Sequence, residues 1–349
     1  MTKNKMLLCS TPLMGLVLLI ASCVWLFSGE TTVTTKVIDE NGDPIPGSTV
    51  SIGWSKPIPK GSGWGSMPAG GTQAITDQTG IVHLQVGGVG AMRVTHPKYY
   101  FNGITTEEIF ALMPNPVLAL NSPKVTVTLL KKLKPVPMYV RRVVADGTGK
   151  IPRLGEACGF DLMRCDWVEP YGKGEVSDLI VTANFAYRGE RDYDYNCNIT
   201  FAGSHDGIRL EPVSILNRMS ELRLPREAPL EGYRSDWALQ GFLGKGRLVF
   251  AAPGVMSDPG GARNYENDNF IFRIRSSREN GKNAGGFYGK IHGELAIKIL
   301  PWYPKPDQEK YLGLDFFYYL NPDGTNSLEW NGQNLFGELP PNERFTPEP

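Results

Sequence analysis

The sequence predicts an all-β fold. Gly 40 and Pro 27 stand well above average usage and punctuate short runs rich in Val, Ile, Thr, Tyr and Phe. Several of these runs alternate apolar and polar residues, which is the period of a half-buried strand. One segment breaks the pattern: Met6 to Phe27 is apolar except for Ser10, Thr11, Pro12 and Ser22, and it predicts one N-terminal hydrophobic helix ahead of the β-rich chain.

That first segment decides the compartment. Lys3 and Lys5 precede it, which is the charge and hydropathy layout of a bacterial-type export signal with its basic side kept in the cytoplasm. Ile20-Ala21-Ser22-Cys23 resembles a lipobox, which makes Cys23 the candidate for lipidation. An uncleaved helix competes with this: the 22 residues from Met6 to Phe27 span roughly 33 Å at about 1.5 Å per residue, enough for a bilayer core of about 30 Å. Val24, Trp25, Leu26 and Phe27 favour the helix, since small or polar residues usually follow a lipidated cysteine. Complete cleavage is the third alternative. The first two agree that the chain after residue ~30 stands outside the cytoplasmic membrane, in a bacterial-type envelope, tethered by its amino end.

Beyond the anchor (1–30) roughly 320 residues remain, enough for two domains with their own cores. Lys+Arg and Asp+Glu are each 36, so the net charge is zero and no basic balance argues for a nucleic-acid partner. Cys158, Cys165 and Cys197 alone lie beyond the anchor. Read as one extended strand, Gly159 to Asp166 holds Cys158 and Cys165 on opposite faces roughly 23 Å apart, too far for a disulfide. Cys197 is then the better partner for either, and buried free thiols are the alternative.

The first domain is expected over residues 31–133. Val33 to Ile38 and Ser48 to Trp54 read as strands joined at Asp39-Glu40-Asn41-Gly42-Asp43-Pro44, a β-hairpin signal because Asn-Gly accepts positive φ. A second hairpin is expected over Thr72 to Val86, turning at Asp77-Gln78-Thr79-Gly80, with further strands at Ala91 to Thr95 and Lys124 to Leu130. The run Val37 to Val50, then Thr76-Asp77-Gln78-Thr79-Gly80, then Val125-Thr126-Val127-Thr128-Leu129 resembles the carboxypeptidase regulatory-like domain. That resemblance covers about 100 residues and implies a transthyretin-like or Ig-like sandwich with an accessory, non-catalytic role. The Pro/Gly-rich insertion from Ser55 to Gly71 departs from it, and a zinc-ligand His-x-x-Glu pattern is absent.

Trp54 and Trp64 flank that insertion and are candidate ligand-contact aromatics; core packing is the competing explanation, since aromatics serve packing far more often than recognition. Asp39, Asn41 and Asp43 alternate as calcium ligands do, but the loop lacks the later Gly and bidentate Glu of an EF-hand, and turn chemistry accounts for them.

Lys134-Pro135-Val136-Pro137 predicts a short, stiff linker (134–137), followed by a second, larger β-sandwich-type domain over 138–336 and a flexible tail over 337–349. Strands are expected at Met138 to Val144, Gly159 to Val168, Asp178 to Tyr187, Tyr193 to Phe201, Arg247 to Ala251, Asn269 to Arg275, Phe287 to Leu300 and Leu312 to Leu320. Tyr193, Tyr195, Cys197, Ile199 and Phe201 should share a buried face. The stretches Asp166 to Gly174, Phe287 to Ile291 and Phe317 to Pro322 resemble segments of exported bacterial proteins to which no activity is attached.

No catalytic constellation is legible. His83, His96, His205 and His292 are scattered, and no Gly-x-Ser-x-Gly elbow or Cys-His metal spacing occurs. Asp323, Asn326 and Glu329 match no established calcium loop, and no cofactor is expected. The function expected is that of a membrane-tethered envelope protein of structural or ligand-binding type, its ligand a protein or a glycan. The enzyme alternative is a glycoside or peptide hydrolase with a carboxylate pair in the second domain.

Overall fold

Every regular element longer than one turn among the described residues is a β-strand, the short 3-10 turn Pro341–Glu343 being the exception. The structure is a computed structural model that describes residues 31–57, 66–87, 90–105, 124–213, 219–244, 247–252, 255–256, 269–279, 282–301 and 309–344. Met6 to Phe27, Cys23 and Trp64 lie outside the described residues. No helix among those described is long and apolar enough to cross a membrane. The chain divides into two compact units: one runs to Lys131 and takes in Met219–Glu221, and the other comprises the chain from Lys132 onward apart from that segment.

The first unit has seven strands: β1 Thr31–Ile38, β2 Thr49–Pro57, β3 Ser66–Ile75, β4 Ile81–Val86, β5 Met92–Thr95, β6 Asn102–Ile104 and β7 Lys124–Thr128. They form a three-stranded sheet, β4-β1-β7, with β1 and β7 parallel, and a four-stranded sheet, β3-β2-β5-β6. Both sheets feed one core, in which Val33, Val37, Leu84 and Val127 meet Val50, Ile52, Met92 and Val94. The expected hairpins are therefore corrected. β1 pairs with β4 and β7, and β2 with β3 and β5, so the Asp39 and Asp77 turns carry the chain from one sheet to the other. The turn chemistry is as expected, because Asp39 Oδ1 accepts the Asn41 and Asp43 N–H, and Asp77 Oδ1 accepts those of Thr79 and Ile81. Turn chemistry reverses a chain without choosing its partner. Burial chooses it, since β1 and β2 each carry an apolar row that is satisfied only when the two rows face each other. The distant Ser220 and Glu221 join this unit through the Phe101 carbonyl, which accepts the Glu221 N–H at 3.0 Å.

The second unit begins with β8 Val136–Val143, β9 Ala157–Asp161, β10 Asp166–Trp167, β11 Leu179–Gly189 and β12 Asp192–Phe201. It continues with β13 Gly207–Leu210, β14 Asp236–Gly244, β15 Arg247–Ala252, β16 Val255–Met256 and β17 Asn269–Ile274. The last strands are β18 Ser277–Glu279, β19 Lys282–Ala284, β20 Phe287–Leu300, β21 Tyr311–Asn321 and β22 Trp330–Asn334. A seven-stranded sheet, β10-β9-β11-β12-β14-β15-β16, and a six-stranded sheet, β13-β17-β20-β21-β8-β22, share a core that includes Phe160, Val181, Ile199 and Trp237 from the first and Phe270, Phe272, Leu314 and Tyr318 from the second. Along β12 the alternation is as expected from Tyr195 onward: Tyr195, Cys197, Ile199 and Phe201 are buried and Asn196 and Asn198 exposed, while Tyr193, expected on the buried face, is only partly buried.

One strand expected in this unit is corrected, and of the two cysteine alternatives the buried free thiols are the one found. Gly159 to Val168 is not one strand but a tight hairpin, because Asp161 Oδ1 accepts the Met163 and Arg164 N–H and turns the chain, with Cys165 at φ 53. Cys158, Cys165 and Cys197 are all free and all buried in the shared core, and burial pushes the Cys165 thiol up to about 11 and that of Cys197 to about 12. The linker is partly strand: Val136 and Pro137 open β8, and Glu329 Oε2 accepts the Leu133 and Lys134 N–H at 3.2 and 2.5 Å. In the expected tail, Leu339 and Glu343 are buried, and Arg141 Nη2 lies 2.5 Å from Glu343 Oε2.

The outward face of the six-stranded sheet is itself covered, by Leu224, Ala228 and Leu328 on one side and Trp330 on the other. Lys290 of β20 is consequently buried there and His292 partly buried beside it, with Lys290 Nζ 4.7 Å from the Tyr319 ring centre. Burial, helped by the charges of Lys290 and Arg223, holds the His292 imidazole well below its ordinary value. The folded protein thus excludes a proton that the unfolded chain takes up below pH ~6.5. Stability should fall as pH drops below that value, by at most about 1.4 kcal/mol per unit from this group. Urea unfolding of the protein and of a His292→Asn variant between pH 5 and 7.5 checks this, the variant showing the shallower dependence.

Candidate functional site

Among the described residues nothing covers the outward face of the seven-stranded sheet over β11, β12 and β14, unlike that of its six-stranded partner. Three strands put a polar row across it, because Asn184 of β11 stands opposite Asn196 of β12, which stands opposite Gln240 of β14. Asn184 Nδ2 donates to Asn196 Oδ1 at 3.1 Å, which aligns the amides and leaves further donors and acceptors facing out. In the next row Ala186, Asp194 and Phe242 are opposite one another. Asp194 is held by Arg188, whose Nη2 lies 2.6 Å from Oδ1 while its Nε bonds Asp192.

Two glycines shape this surface. A Cβ at Gly244 would lie 2.7 Å from the Phe242 ring, so the ring lies along the strand over Gly244, 41% exposed. On the inner face a Cβ at Gly241 would stand 2.3 Å from Tyr195, whose ring fills the place a side chain would take. Leu154 and Gly155, fixed to β11 by the Gly155 N–H on the Ala183 carbonyl at 2.7 Å, form the rim. The result is a groove of about 540 Å³ lined by amides, one carboxylate and a flat exposed aromatic ring. Chemically it can exchange hydrogen bonds with hydroxyls or peptide groups and stack an apolar face, and it offers no nucleophile with an adjacent base.

Asp161 and Asp178 are one pair of carboxylates brought together in the core, since Arg275 Nη2 bonds both, at 2.9 Å each. Their surroundings fit a clamp and not a catalyst. Each is 2% exposed. Asp161 accepts four backbone N–H besides the guanidinium, and Asp178 accepts the Leu162 N–H and both Nε and Nη2 of Arg275. Burial pushes the Asp161 carboxyl up, but the N–H groups of Glu175, Val176 and Arg164 with the Arg275 charge outweigh it and hold it below the usual range. At Asp178 burial is the larger influence and keeps the carboxyl above that range despite Arg275.

Of the residues singled out from sequence, Trp54 is half-buried against the core of the first unit. Its ring rests on Gly70 and Gly87, where a Cβ would stand 2.6 and 3.3 Å from it, so packing accounts for its position. Asp323 Oδ1 is taken up by Thr325, Asn326 Nδ2 by the Ala228 carbonyl and Glu329 by Arg226 and the Lys134 N–H, so these three do not converge. Among the described residues no group of three or more His, Cys, Asp or Glu is placed to hold a metal. Sequence reasoning missed the Asn184, Asn196, Gln240 and Phe242 surface. The alternation of β12 was a signal for Asn196, but β14 carries too few β-branched residues to announce itself.

No protein-family model matches the chain, and no curated protein is similar to it. Replacing Arg275 with Met leaves two buried carboxylates without their cation, and should destabilise the protein by about 3–5 kcal/mol in denaturant unfolding. Asn196→Ala, on the open face, should change stability by less than about 0.5 kcal/mol.

Proposed function

We propose that the chain is an exported protein of the bacterial-type cell envelope, tethered to a membrane by its amino end, with a binding role. In this reading the first unit is a regulatory-like sandwich of the transthyretin or Ig type and acts as an accessory module. Its two sheets over one core and the Asx turns at Asp39 and Asp77 support this assignment. The second unit, a larger β-sandwich, carries the ligand, and the ligand is a neutral glycan.

The observation behind the glycan is the pairing of an amide row, Asn184-Asn196-Gln240, with the exposed Phe242 ring in one groove. Sugar hydroxyls need donors and acceptors at close spacing, and the C–H face of a pyranose needs a flat apolar surface. The saturation of Asp161 and Asp178 weighs against the hydrolase alternative.

Two measurements test the reading. The full chain, extracted in a polyoxyethylene detergent that carries no sugar head group, should bind neutral oligosaccharides on a glycan array. Phe242→Ala and Asn196→Ala should each weaken binding about tenfold or more, which is about 1.4 kcal/mol, without lowering the melting temperature. Retained binding in both variants sinks the assignment. For the tether, intact-mass spectrometry of the membrane-extracted protein should give a mature species beginning at Cys23 with added lipid mass, lost in Cys23→Ala; an unchanged full-length mass would replace the lipid anchor with a spanning helix.

A further inference from the structure

Strand β17 carries a second arginine, which the Asp161–Asp178 clamp does not use. Arg273 is 6% exposed, yet no acidic side chain pairs with it among the described residues. Its Nε and Nη2 donate to the His205 carbonyl, its Nη1 donates to the Leu230 carbonyl at 3.1 Å, and its guanidinium lies 4.8 Å from the Tyr233 ring centre. A guanidinium has five N–H donors, so one remains on each terminal nitrogen. The carbonyls and the ring orient the charge without neutralising it, and a buried cation normally has a counter-charge.

Arg273 lines a concavity of about 380 Å³ together with Ser204, His205, Asp206, Tyr233 and Ser235. Asp206 lines the same concavity but forms no ion pair with Arg273. Its Oδ2 accepts the Arg275 N–H at 2.9 Å, and its Oδ1 accepts the N–H and hydroxyl of Ser276. The Tyr233 hydroxyl is likewise occupied, donating to the Pro229 carbonyl. The hydroxyls of Ser204 and Ser235 and the ring of His205 engage no partner among the described residues, which leaves three groups able to donate hydrogen bonds around the guanidinium.

We propose that this concavity binds a small molecule through a carboxylate group, whose two oxygens take the two remaining N–H of Arg273 while Ser204, Ser235 and His205 hold the rest of the ligand. Two N–H on one planar fork match a carboxylate. A phosphate dianion is disfavoured, because Asp206 and Glu231 line the same concavity and repel the doubly charged group more strongly. The site is separate from the amide groove, with which it shares no lining residue.

The experiment is thermal unfolding of the full chain in polyoxyethylene detergent against sodium glucuronate and against acetyl-Ala-Ala. Glucose, acetyl-Ala-Ala amide, sodium phosphate and sodium chloride serve as controls at matched ionic strength. A melting temperature that rises with either carboxylate and not with its neutral counterpart is expected, and the arm that responds at lower concentration identifies a sugar acid or a peptide carboxyl terminus as the source. In Arg273→Met the response should need at least tenfold more ligand. No rise beyond that in sodium chloride, an equal rise in Arg273→Met, or a rise with phosphate alone would overturn the proposal. Should Arg273→Met fail to fold, the His205→Ala/Ser235→Ala double variant, which touches no buried contact, decides in its place: an undiminished response there overturns the site.

Discussion

The second unit depends on one guanidinium. Arg275 directly follows β17 of the six-stranded sheet, while Asp161 ends β9 and Asp178 precedes β11 on the seven-stranded sheet, and the Arg275 side chain bonds both carboxylates. The residue sits at φ 52, a conformation that costs a non-glycine residue on the order of 1 kcal/mol. Asp206 holds it there by accepting the backbone N–H of Arg275 and Ser276. Asp206 itself lies on the connection between β12 and β13, where the chain passes from one sheet to the other. A single buried charge group thereby fixes the hairpin at Asp161, the entry to β11 and the inter-sheet crossing. Its partial disruption would cost far more than its net worth, because the groups left behind are buried and charged.

From that lock follows the difference between the two outward faces. The crossing and the segments after it lie over the six-stranded sheet, burying Ile271, Tyr288 and Tyr319, closing Lys290 away from water and partly covering His292. Polar residues under such a cover must find partners, and the Lys290 charge finds the Tyr319 ring. Among the described residues the outward face of the seven-stranded sheet has no such cover over β11, β12 and β14. Its amides and the Phe242 ring therefore stand open to solvent, with Gly241 and Gly244 providing the room for two aromatic rings on opposite sides of one strand.

The first unit solves a smaller problem by the same means. Its polar groups buried at the sheet-to-sheet turns are satisfied locally, since Thr76 Oγ1 donates to the Ile45 carbonyl and accepts the Ser48 N–H. Two Asx turns and this pair hold the arches that face β1 and β4 against β2 and β5. Neither unit relies on a disulfide among the described residues, and the three buried thiols pack as small apolar side chains.

What the sequence by itself determined is the all-β class, most strand positions and the chemistry of the turns. These are local properties: a two-residue period at β12, or an Asp two residues ahead of the N–H it caps at Asp39, is complete within a few neighbours. The expectations of an export signal and of lipidation at Cys23 rest on equally local patterns. Only the tertiary structure decided which strands pair, turning two expected hairpins into sheet-to-sheet arches, because pairing is settled by matching apolar rows across distances that no turn records. It also bent the Gly159 to Val168 run at Asp161, whose partners Glu175 and Arg275 lie far along the chain. The amide groove and the Arg273 concavity are of this second kind, since each assembles residues from separated strands or loops whose sequences, taken one at a time, read only as solvent-facing polar positions.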